Sequence, residues 1–183
     1  MNQPDAADAS DPARHLSLVG MMGSGKTTVG RILAQQLGIA FVDTDARIVA
    51  EQGRPIAEIF RHAGEAEFRA LETRQIEECL ASPERSVISL GGGAVLADRN
   101  RETLRARSVV VWLRASVPTL LARVGTANNR PLIADDPVGR ITRIDLERRD
   151  LYAATAHVVI DVDELRSTQV ADGVRAAFSR WRS

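Results

Sequence analysis

The stretch that decides the fold of this 183-residue chain is HLSLVGMMGSGKTT, residues 15–28. It contains the pattern G-x-x-x-x-G-K-[ST], from Gly20 to Thr27, between an apolar run typical of a buried strand and a segment with helical periodicity. Glycines let backbone N–H groups approach phosphate oxygens closely, and the N-terminus of a helix adds positive potential. The pattern in this context predicts a phosphate-binding loop. The alternative is a glycine-rich turn that binds no nucleotide, for which the complete pattern would be a coincidence.

Lys26 differs from every other basic residue of the chain because it is the single lysine. The sequence has 24 lysine and arginine residues, and the other 23 are arginine. A compact ammonium on a flexible stem fits between backbone amides and phosphates, where a planar guanidinium with five donors does not. We expect Lys26 to contact the β- and γ-phosphates of a nucleotide and the Thr27 hydroxyl to ligate Mg²⁺.

Outside this loop, short apolar runs alternate with stretches of helical periodicity. Strands are predicted at residues 15–20, 39–45, 86–90, 108–115 and 157–162. Helices are predicted at 26–38, at 47–81 with breaks at Gly53–Pro55 and Gly64, at 117–124 after Ser116 as N-cap, at 138–156 and at 168–181. This alternation implies a three-layer αβα fold with a five-stranded parallel sheet. We expect a single domain over residues 14–183 and a disordered leader at 1–13.

Composition narrows the class of protein. Hydrophobic residues make up 44% of the chain and charged residues 26%, and 24 acidic residues balance 24 basic ones. A net charge of zero excludes a global field that attracts nucleic acid or membrane lipid, and no apolar run reaches membrane-spanning length. The single cysteine, Cys79, has no internal disulfide partner, and its helical spacing from Leu71 and Ile76 favours a buried position over a reactive thiol. We expect a cytoplasmic monomer that binds neither nucleic acid nor membrane.

Two further unusual segments follow predicted strands. Asp43 and Asp45 end the second strand, where a period of two would send both carboxylates to the same face. One could orient water on Mg²⁺ and the other an acceptor hydroxyl; the alternative is a solvated acidic turn or a helix N-cap. Gly91–Gly93 follow the third strand, which indicates close approach of a ligand or an unusual turn. Since ligands bind at the carboxyl ends of parallel strands, we expect these segments and the phosphate loop to meet at one edge.

Several arginines are candidates for anion binding. Arg69 lies in GEAEFRALE, Arg130 in NNRPLI, and Arg148 and Arg149 in LERRDLY. An arginine on a helix or loop is usually solvated, so position alone assigns no function to them. The segment GTANNRPLIADDP is long enough to close as a lid, and we expect it and residues 47–60 to close when ligands bind, since the phosphoryl donor must be kept from water.

The phosphate loop, DTD, GEAEFR, SLGGGA, NNRPLI and the later R-x-x-x-Y occur in the order and spacing of shikimate kinases, from about Leu16 to Val162. The chain therefore resembles this family. The resemblance implies a nucleoside-monophosphate-kinase-like fold with a mobile lid at about 123–137 and a substrate-binding helical region at about 44–72. It also implies transfer of the γ-phosphoryl group of ATP to the 3-hydroxyl of shikimate, in the pathway to chorismate and the aromatic amino acids.

The resemblance assigns roles by position. It implies ATP binding by Gly23, Ser24, Gly25, Lys26, Thr27, Thr28, Arg123 and Arg130, with Arg123 stacked on adenine and Arg130 closing from the lid. It implies one Mg²⁺ per subunit at Thr27 and Asp43, and shikimate binding by Asp45, Arg69, Gly91, Gly92, Gly93 and Arg148. The catalytic residues would be Lys26, Asp45 and Arg130.

One position departs from the family pattern. Asp150 stands where the family usually has proline in R-x-P-L-Y, which makes Arg149 a competitor for the role of Arg148. Arg166 is a further candidate on the adenine side. Two other functions fit parts of the pattern: a related small kinase acting on gluconate or a nucleotide, and a nucleotide-binding regulator without catalysis. The first would not require GEAEFR, GGG and RPL together, and the second would be marked by loss of Lys26, Asp45 or the substrate arginines, all of which are present.

Overall fold

The computed structural model describes residues 15–125 and 136–181. Five parallel strands form one sheet in the order β2-β3-β1-β4-β5. The strands are β1 His15–Val19, β2 Ala40–Asp43, β3 Ser86–Ser89, β4 Ser108–Arg114 and β5 Val158–Asp161. The helices are α1 Lys26–Leu37, α2 Thr44–Gln52, α3 Ile56–Ala81, α4 Asp98–Arg107, α5 Val117–Gly125, α6 Pro137–Thr155 and α7 Ser167–Trp181, with a short 3-10 helix at Ala94–Leu96. The predicted five-stranded parallel sheet is confirmed.

The helices cover both faces of the sheet, as the three-layer prediction requires. On one face, α1 and α7 pack through residues such as Leu33 and Phe178. On the other face, α3, α4 and α6 contribute Ile76, Leu104 and Tyr152 to a second core. β1 is buried along its whole length and β4 up to the exposed Arg114, which explains the continuous apolar run Val109–Leu113 in β4 and the burial of His15 and Ser17 in β1.

The central position of β1 places the phosphate loop in the middle of the molecule. β1 lies between β3 and β4, so the loop that follows it is flanked by the ends of both strands. The chain passes from β1 to β2 across β3 and from β3 to β4 across β1, which opens a crevice at the carboxyl edge of the sheet.

Most predicted boundaries agree with the structure. Gly38 ends α1 with φ 65°, Gly53 ends α2, and the Ser116 hydroxyl caps α5 by accepting from Thr119 N at 3.4 Å. Gly64, with φ 82° and ψ 174°, interrupts the helical geometry of α3 and kinks it at the predicted break.

Two regions differ from the sequence-based expectation. The second strand ends at Asp43 instead of Asp45, because Asp43 caps α2 and the chain turns into a helix at Thr44. No element was predicted for residues 94–107, yet the chain forms a 3-10 helix and α4 there. The sequence of α4, DRNRETLRAR, carries almost no apolar periodicity, and Leu104 is its buried hydrophobic residue.

Cys79, on α3, lies in the hydrophobic core, as predicted, and its exposed fraction is 3%. Burial raises the pKa of its thiol, which is not the behaviour of a reactive cysteine. Across residues 15–125 and 136–181, no helix combines the length and the apolar character needed to cross a bilayer.

Candidate active site

The phosphate loop runs from Gly20 to Gly25 and has glycine with positive φ at three positions, Gly20, Gly23 and Gly25. Gly20 has φ 142°, and a Cβ there would lie 2.6 Å from the carbonyl oxygen of Leu113 on β4. Gly23 has φ 82°, and a Cβ there would lie 2.8 Å from Val124 Cγ2 on α5. The loop is thus packed directly against β4 and α5, and it leads into the N-terminus of α1.

Lys26 begins α1 and folds back over the loop. Its Nζ donates to the carbonyl oxygens of Gly20 at 2.8 Å and Met21 at 3.0 Å. These contacts hold the ammonium above the loop amides, where a phosphate group would meet both. The two preceding predicted residues, Ser24 and Gly25, lie in the same loop, and Thr28 is exposed on the first turn of α1.

Thr27 and Asp43 bring hard oxygen atoms together at the end of the sheet. The Thr27 hydroxyl donates to Asp43 Oδ2 at 2.9 Å, although β2 and β1 are separated by β3. The other carboxylate oxygen of Asp43 accepts from Ala46 N at 3.2 Å and so caps α2. A hydroxyl and a carboxylate with an open side toward solvent form a donor set that suits Mg²⁺, which keeps water and phosphate oxygens as its remaining ligands.

Asp45 reaches the same edge by a different route from the one predicted. The expectation that Asp43 and Asp45 alternate along one strand is wrong, because Asp45 lies in the first turn of α2. The helical turn directs Asp45 toward the glycine turn, so that a Cβ on Gly91 would lie 2.7 Å from Asp45 Oδ1. The carboxylate of Asp43 therefore lies at the N-cap of α2 and that of Asp45 in the first turn of the same helix, rather than both on one face of a strand.

Arg69 is held on the second half of α3 by two glutamates. Its Nη1 donates to Glu72 Oε2 at 2.7 Å and its Nη2 to Glu65 Oε1 at 3.1 Å. The guanidinium also lies 5.3 Å from the ring centroid of Phe68. Glu65 is on the solvent side and Glu72 is on the inner side, with side chains 63% and 1% exposed. Arg69 is therefore fixed at the wall of the crevice rather than spread on a solvated face.

Glu72 was not among the predicted site residues. Burial raises the pKa of its carboxyl, the charge and hydrogen bond of Arg69 oppose that rise, Asp45 adds to it and Arg148 reduces it. Its Oε1 would lie 2.6 Å from a Cβ on Gly91. The sequence did carry a signal: an acidic residue three positions after Arg69, next to the apolar Leu71, is a helical ion pair on a buried face.

The glycine turn after β3, Gly91–Gly93, packs against the side chains of Asp45, Arg69 and Glu72. A Cβ on Gly91 would meet Glu72 and Asp45, and one on Gly93 would lie 2.6 Å from Arg69 Cζ. None of Gly91, Gly92 and Gly93 has a φ in the left-handed region. The groups that approach these glycines closely are side chains of the protein, Glu72, Asp45 and Arg69, so close approach of a ligand stays a prediction. Gly92 borders the phosphate loop, with a virtual Cβ 3.6 Å from Gly20 O.

Helix α6 distinguishes Arg148 from Arg149. Arg149 forms an ion pair with the buried carboxylate of Asp145, one turn earlier on the same helix. Arg148 instead lies one turn before Tyr152, where its charge counteracts the rise that burial causes in the pKa of the Tyr152 hydroxyl, and it acts electrostatically on Glu72. The helix continues through Asp150 to Thr155, so the residue that replaces the usual proline leaves the helix intact.

Arg123 lies away from this crevice, at the last turn of α5. Its Nη2 donates to Val162 O at 2.8 Å and joins α5 to the end of β5. Arg166 bonds Gln169 at the start of α7 through its backbone N at 3.0 Å. These contacts place Arg123 at the end of β5 and Arg166 at the start of α7.

The sequence relatives identify the family. A family model described as shikimate kinase matches residues 22–178. The chain belongs to the shikimate kinase family. The shikimate kinase of Symbiobacterium thermophilum is 46% identical to it over 158 residues, which are 85% of this chain and 90% of that protein.

Solved structures agree with the assignment to shikimate kinases. The structure of shikimate kinase from Acinetobacter baumannii in complex with shikimate has a TM-score of 0.88 at 34% identity and covers 95% of this chain and 97% of that one. A gluconokinase from Sinorhizobium meliloti has a TM-score of 0.58 at 18% identity, covering 92% and 93% of the two chains. At that identity the gluconokinase shows a common fold and nothing about substrate.

Several positions expected from the shikimate kinase resemblance fall outside the described residues. Arg130 and most of the lid lie between 126 and 135, and the leader lies before residue 15. Of the remaining predicted residues, the phosphate loop, Asp43, Asp45, Arg69, the glycine turn and Arg148 are brought to one crevice. Arg123 is not part of its acceptor side.

Proposed function

We propose that this shikimate kinase transfers the γ-phosphoryl group of ATP to the 3-hydroxyl of shikimate, giving shikimate 3-phosphate and ADP, in the pathway to chorismate. The observation that carries the proposal is the junction at Gly91–Gly93. One side of this turn borders the phosphate loop, and the other supports Asp45 and Arg69. An acceptor held by these two side chains would therefore meet a phosphate bound in the loop.

The acceptor side has the polarity that a hydroxylated carboxylic acid requires. Arg69 and Arg148 offer guanidinium groups that bind a carboxylate through paired hydrogen bonds. Asp45 offers a carboxylate that accepts from a ring hydroxyl and orients its oxygen toward the phosphate. Glu72 lies behind Arg69 and neutralises part of its charge before substrate binds.

The donor side supplies positive charge where negative charge develops. Lys26 must exchange its bonds to Gly20 and Met21 for phosphate oxygens, and the charge of the phosphates offsets that exchange. The loop amides and the start of α1 add fixed dipoles that need little reorganisation. Arg130 is proposed to close on the phosphates and Arg123 to stack on adenine.

Thr27 and Asp43 are proposed to hold one Mg²⁺, Asp43 chiefly through water. Bound there, the ion would neutralise phosphate charge and favour in-line geometry. The Thr27 hydroxyl, which now donates to Asp43, would be free to serve as a ligand, and the second oxygen of Asp43 would remain on Ala46 N as the cap of α2.

The decisive experiment measures ADP release with ATP, Mg²⁺ and shikimate, gluconate or a nucleoside monophosphate as acceptor. Of these three acceptors, we expect only shikimate to support turnover. Gluconate is a flexible chain rather than a ring, and nucleoside monophosphates carry no carboxylate for the arginines to bind. Asp45→Asn keeps the shape of the side chain and should lower kcat by about 100-fold or more. Absence of shikimate-dependent turnover in the unchanged protein would reject the proposal.

We also propose that the enzyme is a cytoplasmic monomer that binds neither nucleic acid nor membranes. Support comes from the balance of 24 basic and 24 acidic residues and from a single thiol with no internal partner. Light scattering coupled to size-exclusion chromatography should give the mass of one chain, and a mass of two chains would contradict this.

A further inference from the structure

Tyr152 on α6 connects three parts of the site. Its hydroxyl donates to the carbonyl oxygen of Gly92 at 2.5 Å, and the charge of Arg148, four residues earlier on the helix, acts on the same hydroxyl. Its ring is fully buried and stacks on Trp112 of β4, with 5.6 Å between ring centroids and 26° between planes. A tyrosine that only fills the core has no need of the bond to Gly92, since phenylalanine would fill the same space.

The bond to Gly92 fixes one peptide plane of the glycine turn. In a trans peptide the C=O and the following N–H point to opposite sides. With the Gly92 carbonyl turned toward α6, the amide of Gly93 is turned away from α6. Gly93 is the residue against which the Arg69 guanidinium lies. Tyr152 therefore orients backbone that borders Arg69, across the crevice from its own helix.

Arg148 lies beside Tyr152 on α6. Tyr152 follows Arg148 by four residues, so the two side chains share a face of the helix, and the Arg148 charge acts on the Tyr152 hydroxyl. Arg149 is instead paired on α6 with the buried carboxylate of Asp145. The Tyr152 hydroxyl is thus the polar group of α6 that lies between the glycine turn and Arg148.

We propose that Tyr152 is a positioning residue that sets the Gly92–Gly93 peptide and Arg148 together for the substrate carboxylate. It contacts no reacting atom. It determines specificity for an acid by holding the anion-binding groups in one arrangement before substrate arrives. This inference rests on the proposed function, because the carboxylate is that of shikimate.

Tyr152→Phe tests the proposal, since it removes the hydroxyl and keeps the ring on Trp112. The ratio of kcat/KM for shikimate to kcat/KM for shikimate methyl ester measures recognition of the carboxylate. We expect this ratio to fall about tenfold in the variant through a higher KM for shikimate, as loss of the hydrogen bond to Gly92 predicts. The KM for ATP should stay within about twofold of the original value.

The matched control is Thr155→Val on the same helix. Thr155 is buried, and its hydroxyl donates to Leu151 O at 2.6 Å, a backbone carbonyl that belongs to α6 and not to the glycine turn. It should lower the melting temperature as Tyr152→Phe does and leave the acid-to-ester ratio unchanged. An unchanged ratio in Tyr152→Phe, or an equal fall in Thr155→Val, would overturn the proposal.

A second measurement needs no substitution. Tyr152 is the only tyrosine in the sequence, so protein grown with 3-fluorotyrosine gives a single ¹⁹F resonance from this side chain. The resonance should move on addition of shikimate and much less on addition of the methyl ester. A resonance unmoved by saturating shikimate would overturn the proposal. Lack of ATP-dependent turnover in the unmodified protein would instead count against the proposed function.

Discussion

Replacing Gly93 by alanine should weaken shikimate binding without unfolding the protein. A Cβ at this position would lie 2.6 Å from both Cζ and Nη2 of Arg69. Ordinary contacts between such atoms begin near about 3.5 Å, so the guanidinium must retreat by about 1 Å. The Gly93 backbone has φ −97° and accepts an L-residue, which means that the side chain of Arg69 moves rather than the turn.

The size of the effect follows from what Arg69 loses. A hydrogen bond between charged partners contributes about 1.5–3 kcal/mol, and a 1 Å displacement takes the guanidinium out of its range. This corresponds to a rise in KM for shikimate of about 10- to 150-fold. The folding free energy should fall by less than about 1 kcal/mol, because the Arg69 side chain is flexible and 23% exposed and retains the solvent-side Glu65.

Steady-state kinetics at saturating ATP and thermal unfolding measure the two quantities separately. The control is Gly173→Ala on α7, where the nearest atom to an added Cβ is Ile160 Cδ1 at 4.0 Å. It should raise stability by up to about 1 kcal/mol through helix propensity and leave KM unchanged. If Gly93→Ala binds shikimate as tightly as the original chain, the placement of Arg69 against this turn is wrong for the working enzyme.

Four other substitutions address three separate parts of the molecule. Lys26→Met should lower kcat by about 1000-fold with shikimate affinity retained, seen by calorimetry; normal turnover would remove Lys26 from the donor site. Arg148→Ala should raise KM for shikimate about tenfold or more, whereas Arg149→Ala should change it by less than about threefold, and the reverse order in kinetics would exchange their roles. Burial lowers the pKa of His15, so the folded protein keeps the imidazole neutral while the unfolded chain is protonated below about pH 6.5, and stability should fall as pH drops through that value. His15→Gln should lose less melting temperature than the original chain between about pH 7.5 and 5.5, and equal losses would show that His15 is not responsible.

The sequence was sufficient for the sheet and for the phosphate loop because both depend on local pattern. Buried parallel strands read as continuous apolar runs, and G-x-x-x-x-G-K-[ST] encodes its own backbone geometry. It was not sufficient for α4, whose polar sequence is held by burial of Leu104 and Asn100. The course of DTD was predicted incorrectly because the choice between strand and cap is made by the Asp43 bond to Ala46 N.

The sequence by itself determined the reaction class: a phosphate loop with one lysine, two carboxylates, three glycines and a set of arginines in family order. Tertiary structure decided which of those residues act together. The family pattern favours Arg148 but leaves Arg149 as a competitor, and only the packing of α6 places the first beside Tyr152 and pairs the other with Asp145. Glu72 and Tyr152 have functions only because residues distant along the chain, Gly91 and Gly92, meet them at the carboxyl edge of the sheet. Such contacts follow from the order of the strands, which no local pattern specifies.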